Sequence, residues 1–155
     1  ALITGSVYSL MGVSMAVGAA LVGRRLGRWE GEPVFLWSFV IAALLFALQG
    51  LSPSIPVLAG FRFLAGFAVA ALTVAGNYLV AQAARPESRG VAFGVLNGLT
   101  SLGGVAGPLL GGVMGDRLGL ASPFFGGAGL FAVAAVTLRQ RRNELTASQG
   151  RTSLR

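Results

Sequence analysis

Five long apolar runs, separated by short polar gaps, constrain this sequence more than any other feature. The runs cover residues 3–22, 33–51, 55–84, 90–114 and 121–138. About 20 apolar residues in a helix cross the hydrocarbon core of a bilayer. The composition agrees, because 54% of the residues are hydrophobic and only 11% are charged, against roughly a quarter charged in soluble domains. We therefore predict an all-α membrane protein with five transmembrane helices.

The arginines lie almost entirely on one side of the predicted bundle. All twelve basic residues are arginine, against five acidic residues. If the first gap faces the cytoplasm, ten arginines lie on that side and only Arg117 lies on the other, as the positive-inside rule favours. The polar tail, residues 139–155, is then predicted to be cytoplasmic and disordered. Arginines in short gaps between apolar runs do not form a nucleic-acid surface, so no nucleic-acid partner is expected.

The residue types needed for catalysis are scarce in this chain. It contains no cysteine and no histidine, which excludes thiolate or imidazole chemistry within these residues. Every acidic residue lies in a gap or in the tail, so no carboxylate lies inside a predicted span as a proton relay normally requires. We predict no enzyme activity, no metal site and no cofactor, and we expect any proton carrier to lie outside these 155 residues.

Polar side chains are distributed unevenly among the predicted helices. The second and fifth are poor in polar residues and rich in phenylalanine, so they are predicted to face lipid. The other three are predicted to face an aqueous cavity or one another. An arginine near the middle of a span costs about 2.5–3.5 kcal/mol and usually marks a functional path or a pairing. The candidate cavity or pairing residues are Tyr8, Arg62, Thr73, Asn77, Asn97 and Thr100.

The alternative for each single serine or threonine is that its hydroxyl bonds to a carbonyl of its own helix and has no further role.

The stretch GGVAGPLLGG, residues 103–112, has a loop-like composition within a membrane-length apolar run. Glycines recur every fourth residue along this segment, and residues four apart drift by only about 40° around a helix. Small residues on one face let helices approach closely in lipid. We therefore predict a helix with a glycine contact face and a bend at Pro108. The stripes comprise Gly90, Gly94, Gly98, Gly103, Gly107, Gly111 and Gly115.

The same stretch resembles a known motif. Gly103, Gly107, Pro108, Gly111 and Gly112 match the G-x-x-x-G-P-x-x-G-G antiporter signature of the major facilitator superfamily, which is most developed in its drug:proton antiporter branch.

Two further stretches are similar to motifs of that family. In LAGFRFLAGFAVAA, Arg62 and Gly66 match the membrane arginine motif, with alanine at two positions where the family has a polar residue and a glycine. In ALVGRRLGRW, Arg25, Gly27 and Arg28 match the cytoplasmic loop motif. Arg24 stands where that motif has an aspartate, so the ion pair that the family builds on the aspartate is not expected here.

The resemblance implies a fragment with five helices of a six-helix half-bundle, residues 1–138. The lost aspartate and short tail favour the C-terminal half, whereas the intact arginine and glycine-proline motifs favour the N-terminal half. In this family the third and sixth helices of a half lie on the lipid side, which agrees with the polarity of the second and fifth segments.

The implied function is a secondary active transporter, of the drug or metabolite efflux type, in a bacterial inner membrane. It would move a small organic solute by alternating access, with proton coupling in the full-length protein. Its partners would be the solute, the bilayer and the missing half of the chain. The alternative is a membrane protein without transport activity, such as an assembly subunit or a receptor, that uses the same small-residue packing.

Overall fold

The described parts of the chain are helical. The computed structural model describes residues 2–26 and 31–152, with side-chain surroundings for residues 9–26 and 31–144. Within those ranges there is no strand, which confirms the predicted all-α class. The helices are α1 (Leu2–Leu26), α2 (Gly31–Gly50), α3 (Ile55–Ala83), α4 (Arg89–Leu118) and α5 (Ser122–Thr152), with a short 3₁₀ turn (Pro86–Ser88) before α4.

Among the residues that the structure describes, four stretches have the length and hydropathy needed to cross a membrane. They are Gly31–Gly50, Ile55–Ala83, Pro86–Leu118 and Ser122–Glu144. They correspond to the last four of the five apolar runs, and the first run lies in α1, which is 25 residues long.

Residues 139–152 of the tail are helical, whereas the sequence predicts disorder for them. Helix α5 does not end with the apolar run but continues to Thr152. Its polar part, residues 139–152, contains four arginines and two glutamines, which favour helix. Because extending a helix requires no new nucleation, a helix that begins in the membrane can continue into a polar segment of this composition.

Helix α3 lies between α1 and α2, and α2 also packs on α5. A small cluster at the α2–α3 contact contains Ala42, Leu45, Ala65 and Ala68, with the rings of Phe46, Phe61 and Phe131 packed around it. Small side chains bring helix backbones close together, and in lipid this close packing drives helix association. The helices therefore follow the spatial order α1, α3, α2, α5.

The closest approach in this row is between α1 and α3. Ser14 of α1 is fully buried and its hydroxyl donates to Met11 O at 2.9 Å. A methyl group placed on Gly66 of α3 would overlap the Ser14 hydroxyl and would lie 2.9 Å from Met11 O. One turn further, a methyl on Gly18 would lie 3.0 Å from the Ala70 Cβ atom. Glycine is therefore required at this contact for steric reasons.

Helix α2 has a buried face and an exposed apolar face. Its buried residues follow helical spacing and include two polar ones, and they are Gly31, Ser38, Ala42, Leu45 and Gln49. On the other side Trp37 and Leu44 are 62% and 59% exposed. An apolar outer surface agrees with the prediction that this helix faces lipid, while its polar side chains point into the protein.

Helix α4 is the predicted glycine helix, and it is continuous through GGVAGPLLGG with Pro108 inside it. None of its residues is buried. It ends at Gly119, whose φ of 94° favours glycine and whose N–H donates to Gly115 O at 3.1 Å. The composition that resembles a loop is therefore part of a helix, as predicted.

Candidate functional site

Arg62 lies where three helices meet, at the end of the bundle opposite Arg85 and Arg89. Its Nη1 atom donates to Gln49 Oε1 of α2 at 3.2 Å. Its guanidinium carbon lies 5.9 Å from the centre of the Phe124 ring of α5, within the range of a cation–π contact. Arg62 therefore joins α3 to α2 and α5.

Sequence reasoning did not single out Gln49 as a site residue. The glutamine lies on a helix that the phenylalanine content assigned to the lipid side, yet it is only 3% exposed. Its Nε2 atom donates to Leu45 O at 3.2 Å. The sequence did contain a signal for Gln49, since it is a lone amide near the end of an apolar span. A polar group in a membrane needs a partner.

The two candidate threonines bond to their own helices. Thr73 Oγ1 donates to Val69 O at 2.9 Å, and Thr100 Oγ1 donates to Leu96 O at 2.8 Å. Both side chains are exposed. Each hydroxyl therefore donates its proton to a carbonyl group of its own helix, as the alternative for a single threonine states. Each oxygen atom keeps a lone pair that can accept a hydrogen bond from outside the helix.

The remaining polar candidates do not form one cluster with Arg62. Asn77 is half-buried on α3, and Asn97 is exposed on α4, in the same exposed region as Thr100. The side chain of Tyr8 lies outside the described residues, as do Gly27 and Arg28 of the loop motif. Arg25 of that motif lies in the last turn of α1 and is exposed.

An open groove of about 670 Å³ separates α3 from α4 next to their connection. Val80 and Ala83 line it from α3, Val95 and Leu99 line it from α4, and Arg85 lies at the connecting turn. The two helices make few contacts with each other, which leaves the groove open. Its walls are mostly apolar, with one basic residue at the end where the loops meet.

The glycine stripes of α4 are in contact at one end only. Methyl groups on Gly111 and Gly115 would lie 3.6 and 3.8 Å from Pro123 of α5. At Gly103 and Gly107 a methyl group would meet nothing within 4 Å. The C-terminal end of the glycine face therefore packs on α5 in the α4–α5 hairpin. The part of the face next to Pro108 is open among the described residues.

The hairpin is also held by Ser122. Its hydroxyl lies 2.7 Å from Gly119 O and 2.8 Å from Met114 O, which satisfies carbonyl groups at the C-terminal end of α4.

These features define a multi-span helical membrane protein that is assembled through small residues, with a polar junction at one end and an open glycine face. The sequence profile of the Major Facilitator Superfamily matches residues 1–153. The chain therefore belongs to that superfamily.

Several curated proteins are similar to this chain. The class C tetracycline resistance protein of Escherichia coli is 33% identical over 124 residues, covering 80% of this chain and 31% of its own length. The MFS-type transporter ppzB of Metarhizium majus is 31% identical over 133 residues, covering 86% of this chain and 27% of its own. The multidrug resistance protein MdtG of Citrobacter koseri is 28% identical over 151 residues, covering 95% and 37%.

The chain thus spans about a third of the length of these relatives. No solved structure gives a significant match to it.

Proposed function

We propose that the full-length protein is a secondary active transporter that moves a small organic solute by alternating access, as an efflux system coupled to protons. Membership of the superfamily and the names of the relatives, which include resistance proteins for tetracycline and for multiple drugs, support transport over the alternative of an assembly subunit or a receptor. In such transporters two helical bundles rock about a central site.

The exposed surface of α4 is the observation that carries the proposal. This helix has the length and hydropathy of a membrane span, yet none of its residues is buried. Asn97 and Thr100 are exposed on it. Polar groups at membrane depth face a bundle interior or a water-filled cavity. We infer that this surface faces the solute cavity or the other half of the transporter.

The roles proposed for the individual residues are those that the sequence predicts. The proposed cavity-lining residues are Thr73, Asn77, Asn97, Thr100 and Tyr8. Arg62 is proposed to pair within the bundle. A close-packing bend seals one side of the cavity, and it comprises Gly103, Gly107, Pro108, Gly111 and Gly112. In the family's loop motif, Arg25, Gly27 and Arg28 lie on the cytoplasmic side.

The arginine distribution supports a membrane orientation with the C-terminus in the cytoplasm. Arg85 and Arg89 lie at the same end of the bundle as the last turn of α1, and Arg139, Arg141 and Arg142 lie beyond the apolar part of α5. Bacterial relatives of the chain support the inner membrane of a bacterium as the location, where the remaining helices of the same protein and the lipid are its partners.

The test is a flux measurement with the full-length protein in lipid vesicles, using a panel of amphipathic organic solutes with and without an imposed pH gradient. We expect flux of at least one solute, faster when the gradient is imposed. Absence of flux for the whole panel would favour the protein without transport activity. Flux that ignores the pH gradient would remove the proton coupling from the proposal.

Substitutions at the bend test its role in the same assay. Gly107→Leu and Gly111→Leu should abolish flux and leave membrane insertion intact, because a leucine fills a face that another helix must approach. Gly60→Leu is the matched control for Gly107→Leu, since a methyl group at either glycine meets nothing within 4 Å. Normal flux in both α4 variants would contradict the proposed bend.

A further inference from the structure

We propose that Gln49 is a positioning residue for Arg62 and that the pair fixes the junction of α2, α3 and α5. The inference rests on the proposed function only where it assigns Arg62 a role in transport. Its structural part concerns one buried amide and one guanidinium, and it can be tested without any solute.

The hydrogen bonds determine the orientation of the amide. A guanidinium has only donors, so only the oxygen of Gln49 can accept from Arg62. The other end of the amide donates to Leu45 O in the preceding turn of α2, at 3.2 Å. Gln49 therefore satisfies both ends of its side chain, and the oxygen that receives Arg62 is held in place by the helix that carries it.

Burial makes this arrangement costly to break. Gln49 is 3% exposed and the hydrogen bond to Arg62 is partly buried. A buried polar group that loses its partner costs more free energy than the hydrogen bond contributes when it is formed. Replacing either residue by leucine alone leaves the other without this hydrogen bond, whereas replacing both removes the polar groups together.

The pair also explains the direction in which Arg62 points. Gln49 lies on α2 and Phe124 lies on α5, whereas the exposed polar residues Asn97 and Thr100 lie on α4. The guanidinium is thus drawn toward α2 and α5. We assign it to holding three helices at this end of the bundle, so that the three move together during transport, and not to contact with the solute.

The experiment is a double-mutant cycle on the full-length protein in lipid nanodiscs, read by thermal unfolding. The variants are Gln49→Leu, Arg62→Leu and the two combined. We expect each single change to lower Tm by roughly 2–4 °C and the double variant to unfold no earlier than the less stable single variant. Additive losses in the double variant would overturn the pairing.

A second cycle provides the matched control. Ser38 is a buried polar residue on the same helix, and its hydroxyl donates to Val34 O at 2.7 Å. It lies eleven residues from Gln49 in sequence, about 16 Å along the helix. Ser38→Ala should combine additively with Arg62→Leu. A coupling as large as that of Gln49 would mean that the helix as a whole responds, and would overturn a specific positioning role.

Rescue and kinetics separate positioning from bulk packing. Gln49→Glu keeps an acceptor for the guanidinium but loses the donor to Leu45 O, so its Tm should lie between that of the wild type and that of Gln49→Leu. In the flux assay Gln49→Leu and Arg62→Leu should both lower the maximal rate several-fold and leave the KM for solute unchanged. A Tm for Gln49→Glu no higher than that of Gln49→Leu, or a raised KM in both leucine variants, would overturn the assignment. A protein without flux would contradict the proposed function but would leave the unfolding cycles valid.

Discussion

Helices α3 and α4 both carry glycine, and they use it in opposite ways. Gly66 of α3 is buried against Ser14, so that even one added methyl group would overlap α1. Gly98, Gly103 and Gly107 of α4 have open space where a side chain would be. Because small residues help membrane helices only when a partner approaches them, Gly66 stabilises the packing of α1 on α3, and these three α4 glycines make no such contact within the described residues.

The polar residues of the two helices show the same contrast. Arg62 of α3 is paired with a buried glutamine, while Asn97 and Thr100 of α4 are exposed. Helix α3 is thus a structural centre of the fragment. Helix α4 presents a surface whose function depends on what packs or binds against it.

The largest effect is expected from Gly66→Ala in the full-length protein. The added methyl group overlaps Ser14 and forces α1 and α3 apart. Overpacking of this kind costs about 1–3 kcal/mol, and thermal unfolding in nanodiscs measures it.

Gly60→Ala is the control for that prediction, because Gly60 lies on the same helix and a methyl group there meets nothing within 4 Å. Its expected effect is a gain of up to about 1 kcal/mol from helix propensity. Equal losses for the two variants would show that α3 does not distinguish a contact glycine from an open one.

Ser122→Ala ranks second, because it weakens the attachment of α4 to the rest of the chain. The hydroxyl of Ser122 is close to two carbonyl oxygens at the end of α4, and losing it should cost about 1 kcal/mol. Ser88→Ala is the control, since Ser88 lies in the turn that precedes α4, is exposed, and donates to Arg85 O at 3.2 Å. A comparable loss of stability in the control would mean that the hairpin at Ser122 stabilises the protein no more than the turn at Ser88 does.

The helices and the glycine helix in particular were predictable from the sequence. Apolar length defines a membrane helix nearly alone, and the four-residue spacing of glycine around Pro108 distinguished a helix from a loop. The motifs around Arg62 and Pro108 also identified the family that the profile match confirms. Each of these signals is local in the chain.

The partners of the functional residues were not predictable in the same way. Gln49 was assigned with its helix to the lipid side, because composition averages over both faces and cannot show that one amide points inward. The glycine stripes indicated a contact face but not which glycines have a neighbour, and only Gly111 and Gly115 meet Pro123. The length of α5 was not predictable either, because the helix continues into a segment whose polar composition suggested disorder.

Gly98→Ala sharpens the contrast between the helices through the sign of its effect. Gly98 is exposed and has no neighbour within 4 Å, and it lies outside the proposed bend of residues 103–112. We expect a gain of up to about 1 kcal/mol in the full-length protein, from helix propensity alone. Thermal unfolding decides: a loss as large as that of Gly66→Ala would place a tight helix contact along the first half of α4 as well.

Thr100→Val should have the smallest effect on stability and separates a backbone-bonded hydroxyl from a cavity hydroxyl. The hydroxyl proton is donated to Leu96 O at 2.8 Å, so valine removes a bond within one helix, and the change in unfolding free energy should stay within about 0.5 kcal/mol. In the wild-type protein the Thr100 oxygen can still accept a hydrogen bond from a group outside the helix. If Thr100 lines the cavity, valine raises the KM of a solute that carries a hydrogen-bond donor, and Thr100→Ser keeps the wild-type value. Equal KM values in wild type and Thr100→Val would remove Thr100 from the cavity and leave it the same role that any surface threonine has on a helix.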